Sequence, residues 1–169
     1  SADILFVNTC TIRENADDKL YGTLGHLKKW KDQSPDRRLI VGGCAAQKDK
    51  ELVRDRAPWV DVVIGTHNTN NVINLLNQSE DWGPITQIME ESKDIESEIL
   101  PVRESGFSAF VTIQIGCNNS CTFCIVPSVR GIEISRRPSD IINEIKNLSN
   151  EGIKLSLIHI SEPTRHTDI

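Results

Sequence analysis

Three thiols fall close together in the stretch Gly116-Cys117-Asn118-Asn119-Ser120-Cys121-Thr122-Phe123-Cys124. Thiolates at C-x3-C-x2-C spacing can wrap one compact inorganic centre, and soft sulfur ligands select iron–sulfur clusters or zinc. Zinc sites usually pair two C-x2-C units or add histidine. This loop holds a single C-x2-C unit and no histidine. Buried apolar cysteine, the bland reading, is common singly and rare as a triplet in this spacing. Three thiolates can hold three irons of a four-iron cluster and leave the fourth open to an outside ligand. No protein side chain is singled out as a catalytic acid, base or nucleophile; in such a site the bound group supplies the chemistry and the protein supplies position and exclusion of water.

Two further cysteines, Cys10 and Cys44, share one property with Cys117: each comes just after a predicted strand. In parallel α/β architecture the loops beyond the strand C-termini form the binding face. Taken alone, two lone cysteines are more often structural than ligands.

The elements that must position these loops are legible in part. Ile4 to Val7 is an apolar run that reads as a buried strand. Thr11-Ile12-Arg13-Glu14 fits a capping box, and Ala16, Leu20, Leu24, Leu27 and Trp30 follow at helical spacing to about Lys31. Leu39 to Val41 is a second strand, Lys48 to Arg56 a helix stopped near Pro58, Val60 to Ile64 a third strand, and Asn70 to Leu76 a short helix. Strands alternating with helices predict a parallel sheet with helical cover over residues 1–77. Residues 78–106 read as an acidic linker. From Gln78 to Pro101, Glu80, Asp81, Glu90, Glu91, Asp94, Glu96 and Glu98 face one base, Lys93. A second unit opens at 107 with a strand at Ala109 to Ile115, the cysteine loop, and a helix from Pro138 to Asn150. In that helix Ile141, Ile142, Ile145 and Leu148 form one stripe.

The loop C-x3-C-x-aromatic-C, with Phe123 in the aromatic place, resembles that of the radical S-adenosylmethionine superfamily. The longer run Gly116 to Gly131, GCNNSCTFCIVPSVRG, is similar to the methylthiotransferases within it. Val7-Asn8-Thr9-Cys10, Ile12 to Ala16, and Val41-Gly42-Gly43-Cys44-Ala45-Ala46-Gln47 resemble the N-terminal domain of the same family. The likeness covers about residues 1–154. It implies an α/β fold: a Rossmann-like methylthiotransferase domain followed by the start of a radical-enzyme (β/α) partial barrel.

The resemblance also implies a cofactor set. Cys117, Cys121 and Cys124 would hold a [4Fe-4S] cluster that binds S-adenosyl-L-methionine, with Phe123 beside that cofactor. Cys10 and Cys44 match two of three ligands of a second [4Fe-4S] cluster, whose third ligand is expected before Ser1. The implied reaction adds a methylthio group to C2 of N6-dimethylallyladenosine next to the anticodon of tRNA. A sister activity on a ribosomal-protein aspartate is the close alternative, and a non-catalytic iron–sulfur or zinc module the alternative of another class. Arg130, Arg136 and Arg137 could hold RNA phosphate or cofactor carboxylate, or be solvated surface arginines. The expected partners are tRNA, a sulfur donor and an electron donor protein.

The bulk numbers agree with a packed globular chain: 169 residues, 38% hydrophobic, 25% charged, net charge −5. No apolar run is long enough to span a bilayer, and no signal-peptide pattern is present. Five cysteines, an odd number, argue against a secreted disulfide framework. A cytoplasmic monomer is expected. The chain starts at Ser1 inside a predicted strand, so a piece of a longer protein is expected. Residues 155–169 begin with LSLIHISEPTR, which resembles a translated sequencing adapter. They are expected to be non-native yet strand-forming, by virtue of Leu155, Leu157, Ile158 and Ile160.

Overall fold

A computed structural model describes residues 2–11, 15–90 and 106–160, with side chains left out for 15, 16 and 155–160. The first strand, β1 (Ile4–Thr9), leads to helix α1 (Asn15–Lys31). The expected capping box involves Glu14, which lies outside the described residues; Thr11 Oγ1 instead hydrogen-bonds Asp17 Oδ1 at 3.2 Å. Lys28, Lys29 and Lys31 close α1, where cations suit the helix C-terminus. Lys31 pairs with Asp61, whose carboxylate also accepts from the Leu39 amide at 2.7 Å. One side chain thereby joins the end of α1 to the start of the next strand.

Strand β2 (Arg38–Gly43) runs straight into α2 (Cys44–Asp49), followed by α3 (Leu52–Arg56). The single helix expected over Lys48 to Arg56 is thus two short ones, broken at Lys50, which sits at φ +51. Strand β3 (Val62–Ile64), a 3-10 turn at Thr69–Asn71 and helix α4 (Val72–Trp82) come next. Strand β4 (Ile85–Gln87) completes a four-stranded sheet in the order β1-β2-β3-β4, parallel throughout. The boundary expected at residue 77 is corrected by this: α4 and β4 belong to the sheet unit, and the linker can begin only after them.

Alternate residues of the strands feed two cores, as the period of two requires. Leu39, Val41 and Val63 pack with Leu20 and Leu24 of α1 and Val53 of α3 on one face. Ile40, Val62 and Ile64 pack with Leu75 and Leu76 of α4 on the other. Strands covered on both faces need continuous apolar runs, which is what LIV and VVI supply.

The second unit centres on β5 (Ser108–Ile115). After the cysteine loop come α5 (Val126–Arg130), β6 (Ile134–Ser135), α6 (Pro138–Asn150) and β7 (Leu155–Ile160). The sheet order is β6-β5-β7, with β6 antiparallel and β7 parallel to β5. The expected pairing of the apolar stretch after Lys154 with β5 is therefore present; residues 161–169, including His166, lie outside the described residues. Helix α6 buries Leu148 with Ala109 and Val111, and Ile141 leans on the same cluster. Ile142 and Ile145 are exposed at 51% and 37%, so half of the expected stripe faces away from that core. Among the described residues no helix is long and apolar enough to cross a membrane.

Candidate metal centres

Each cysteine site begins at a strand end with a glycine that only glycine can occupy. Gly116 follows β5 at φ +74, and a Cβ there would lie 2.0 Å from the Ile132 carbonyl oxygen. Gly43 ends β2 at φ +95, and a Cβ there would lie 2.4 Å from the Thr9 carbonyl oxygen. Both obstacles are backbone, which cannot swing aside.

Beyond Gly116 the chain opens into a loop held by few bonds. The Cys117 amide donates to Gly131 O at 3.2 Å, the Cys124 amide to Cys121 O at 3.2 Å, and the Glu133 amide to Asn118 Oδ1 at 3.0 Å. Val126 and Val129 are buried, which anchors α5 beneath the loop. Cys117, Cys121 and Cys124 all line one open cavity of about 390 Å³, together with Pro127, Gly131 and Ile132. No carboxylate or imidazole shares that lining.

Among the described residues, no three Cys, His, Asp or Glu side chains gather tightly enough to hold one metal ion. Thiolates on a single zinc would lie about 3.8 Å apart, given tetrahedral bonds of about 2.3 Å. Thiolates on three separate irons of a cluster stand further apart. Three thiols spread round an open cavity, with no carboxylate or imidazole among them, fit a soft multi-iron group. Phe123 is fully exposed at 100% and does not line the cavity.

At the other site, strand register brings the two cysteines to one sheet edge. Thr9 pairs with Gly43 in the β1–β2 ladder, and Cys10 and Cys44 are the next residues of each strand. Thr9, which sequence reasoning quoted but gave no role, fastens this edge. Its hydroxyl donates to Gly42 O at 2.6 Å and accepts from the Ala45 amide at 3.1 Å. Cys10 is exposed and Cys44 buried, and none of the five cysteines forms a disulfide.

The three candidate arginines separate. Arg130 Nε donates to Cys44 Sγ at 3.3 Å, which places it at a cysteine site. Arg136 donates to Thr112 O at 2.8 Å and pairs with Glu144 at 2.6 Å, fixing α6 to β5. These bonds turn its side chain inward, away from the role of an RNA-facing arginine. Arg137 is exposed, at the N-terminal boundary of α6. Gln47, also missed from sequence, is buried. Its Nε2 donates to Met89 O at 2.8 Å and its Oε1 accepts from the Thr66 amide at 3.0 Å.

Near the N-terminal site, α1 and α2 are joined by a polar group of Asp17, Tyr21, Lys48 and Asp49. Tyr21 donates to Asp49 at 2.6 Å, and burial together with that bond pushes its ionisation well above the ordinary value. Burial lowers Lys48, but its bonds to Asp17 and Asp49 outweigh this and leave its affinity for a proton raised.

Comparison with known proteins matches the two units in turn. Residues 1–65 match the family described as Uncharacterized protein family UPF0004. Residues 111–169 match the Radical SAM superfamily. The tRNA-2-methylthio-N(6)-dimethylallyladenosine synthase of Cutibacterium acnes is 51% identical over 154 residues, covering 90% of this chain and 31% of that protein. The enzyme of the same name from Mycolicibacterium smegmatis is 49% identical over 153 residues, covering 90% of this chain and 30% of the relative. That of Corynebacterium urealyticum is 48% identical over 153 residues, covering 90% and 28%. The chain thus spans about 30% of the length of the curated relatives it matches. A UPF0004 match followed by a Radical SAM match, at about half identity to these synthases along nine-tenths of its length, makes the chain similar to the radical S-adenosylmethionine methylthiotransferases over that stretch.

Proposed function

We propose that this chain serves tRNA methylthiotransfer, the addition of a methylthio group to C2 of N6-dimethylallyladenosine beside the anticodon. The observation that carries the reading is the Cys117-Cys121-Cys124 cavity, three thiols with no carboxylate or imidazole competing. The names of the relatives supply the substrate. In this reading Cys117, Cys121 and Cys124 ligate a [4Fe-4S] cluster, and Cys10 and Cys44 contribute to a second. What a cluster in the Cys117 loop supplies is one electron for the reductive cleavage of S-adenosylmethionine. The chain's own part is to hold three thiolates on one rim, to leave the fourth position open, and to screen the site with Pro127, Gly131 and Ile132. Gly116 turns the strand so that Cys117 faces that rim, and the Gly131 carbonyl holds it there through the Cys117 amide. Phe123 and Arg137 are each exposed, and in this reading they are open to S-adenosylmethionine and to RNA. A sulfur donor and an electron donor protein complete the reaction, in the cytoplasm, with the protein acting as a monomer.

Anaerobic reconstitution with ferrous iron and sulfide, in the presence of equal zinc, tests the metal part. Iron with matching sulfide and a broad absorption in the blue is the expected outcome. Stoichiometric zinc without iron would make the chain a zinc module and end the enzymatic reading. The substrate part is read by mass spectrometry after incubation with S-adenosylmethionine, reductant, tRNA and a ribosomal-protein peptide. A methylthio gain on the nucleoside is expected, and a gain on the peptide aspartate would replace this substrate by the other.

A further inference from the structure

Three consecutive residues after the cysteine loop each meet a different group of the N-terminal unit. Val129 O accepts from the Thr66 hydroxyl at 2.8 Å. Arg130 Nε donates to Cys44 Sγ at 3.3 Å. Gly131, at φ +72, lies against the His67 ring, which a Cβ there would approach to 3.6 Å. The same stretch also carries the loop: Gly131 O accepts from the Cys117 amide, and the Gly131 and Ile132 carbonyls crowd Gly116. We propose that Val129, Arg130 and Gly131 form a strut between the two cysteine sites, with Arg130 and Thr66 as positioning residues that set their separation.

The path is short and made of stiff parts. From Cys44 it runs through one side-chain hydrogen bond to Arg130, one peptide to Gly131, and one backbone hydrogen bond to Cys117. The N-terminal end is framed as well. Thr66 is held through its amide by Gln47, which lies on the helix that starts at Cys44. Thr66 and Cys44 therefore move as one body, and two bonds from that body grip adjacent residues of α5. Chemistry that passes a group between two sites gains from a fixed separation, since reacting atoms must meet within a fraction of an ångström. The strut rests on the metal-site reading only for what the two sites hold; the contacts themselves do not depend on it. It also gives Arg130 a partner other than RNA phosphate.

Amide hydrogen exchange on the whole chain, read by NMR, tests the strut. Thr66→Val keeps the shape and removes the donor; Thr66→Ser keeps the donor. In Thr66→Val the Cys117 and Gly131 amides are expected to exchange at least about fivefold faster than in the wild type, the change that losing one ordinary hydrogen bond produces. Thr66→Ser is expected to stay within about twofold of the wild type, a rescue that a purely steric role for Thr66 would not give. Arg130→Met is expected to speed the Cys117 amide and the Ala45 amide together, although the two belong to different units. Cys117 exchange at the wild-type rate in both Thr66→Val and Arg130→Met would overturn the strut, and so would Thr66→Ser exchanging as fast as Thr66→Val. Iron uptake by the unsubstituted chain is measured beside it. A chain that takes up no iron defeats the metal-site reading, while the exchange rates still decide the strut.

Discussion

Gly43 and Gly116 stand in the same relation to their cysteines. Each occupies a positive-φ position at a strand end, and each is pressed against a backbone carbonyl that cannot yield. A side chain at either position strains the turn that presents the next residue's thiol. Gly116→Ala is expected to lower stability by an amount on the order of 1–3 kcal/mol, the range for a non-glycine residue forced into such a conformation. It should also reduce iron uptake per chain, because Cys117 would leave the rim it shares with Cys121 and Cys124. Urea unfolding and iron analysis read the two effects separately. A Gly116→Ala chain that unfolds and loads iron like the wild type would show that the turn does not position Cys117. At this scale the thiols were fully legible, since C-x3-C-x2-C is local. The Arg130–Cys44 contact was not, because its partners lie 86 residues apart in sequence and nothing near either one announces the other.

Among the elements, α1 and α2 are joined by polar chemistry whose pH dependence has a definite sign. Tyr21 keeps its proton in the fold, where Asp49 accepts from it, while an unfolded chain would release that proton near 10.0. Its contribution is complete below that pH and is lost as pH rises toward the raised folded value. Lys48 works in the same direction: its folded affinity for a proton is raised from 10.5, so its ion pairs stabilise fully below that value and fail above the raised one. Stability should therefore hold through neutral pH and start to fall near pH 10. Tyr21→Phe is expected to cost about 1 kcal/mol at neutral pH, the net value of a typical hydrogen bond. It should also flatten the alkaline decline, because one of the two groups no longer titrates. Urea midpoints from pH 7 to the alkaline limit check this; an unchanged slope in Tyr21→Phe would mean that the Asp49 bond is not its source.

The elements themselves were read where the chain advertises them. β1, β2, β3 and β5 are apolar runs, and α6 opens on Pro138 and carries periodic isoleucines, so its bounds were found at Pro138 and Asn150. β4 was missed because Ile85-Thr86-Gln87 is three residues long and sits in an acidic neighbourhood; only pairing with Val62 to Ile64 makes it a strand. β6 has two residues and exists through its ladder with Gln114 and Ile115. The break between α2 and α3 at Lys50 gives no compositional signal either, since Lys is an ordinary helix former. Tertiary pairing and one backbone angle decided these three, and neither is written in local periodicity.

Taken as a whole molecule, two sheet units meet where their cysteine loops are. β1 and β2 deliver Cys10 and Cys44 to one edge, β5 delivers Cys117, and α5 lies between, bonded to both units. An α/β protein places its chemistry beyond the strand ends, and here both units place their cysteine loops there, at a shared junction. That placement was legible from strand-then-cysteine order; the junction was not, because it depends on how the units pack. The central claim is that the Cys117 loop holds a cluster with one open iron, and electron paramagnetic resonance reads this directly. The chain is reconstituted with Cys10 and Cys44 both replaced by Ser, reduced, and measured with and without S-adenosylmethionine. The expected result is a reduced four-iron signal that changes shape when S-adenosylmethionine is added and disappears when Cys117, Cys121 or Cys124 is replaced by Ala. A signal indifferent to S-adenosylmethionine, or one that survives loss of any of the three cysteines, would contradict it.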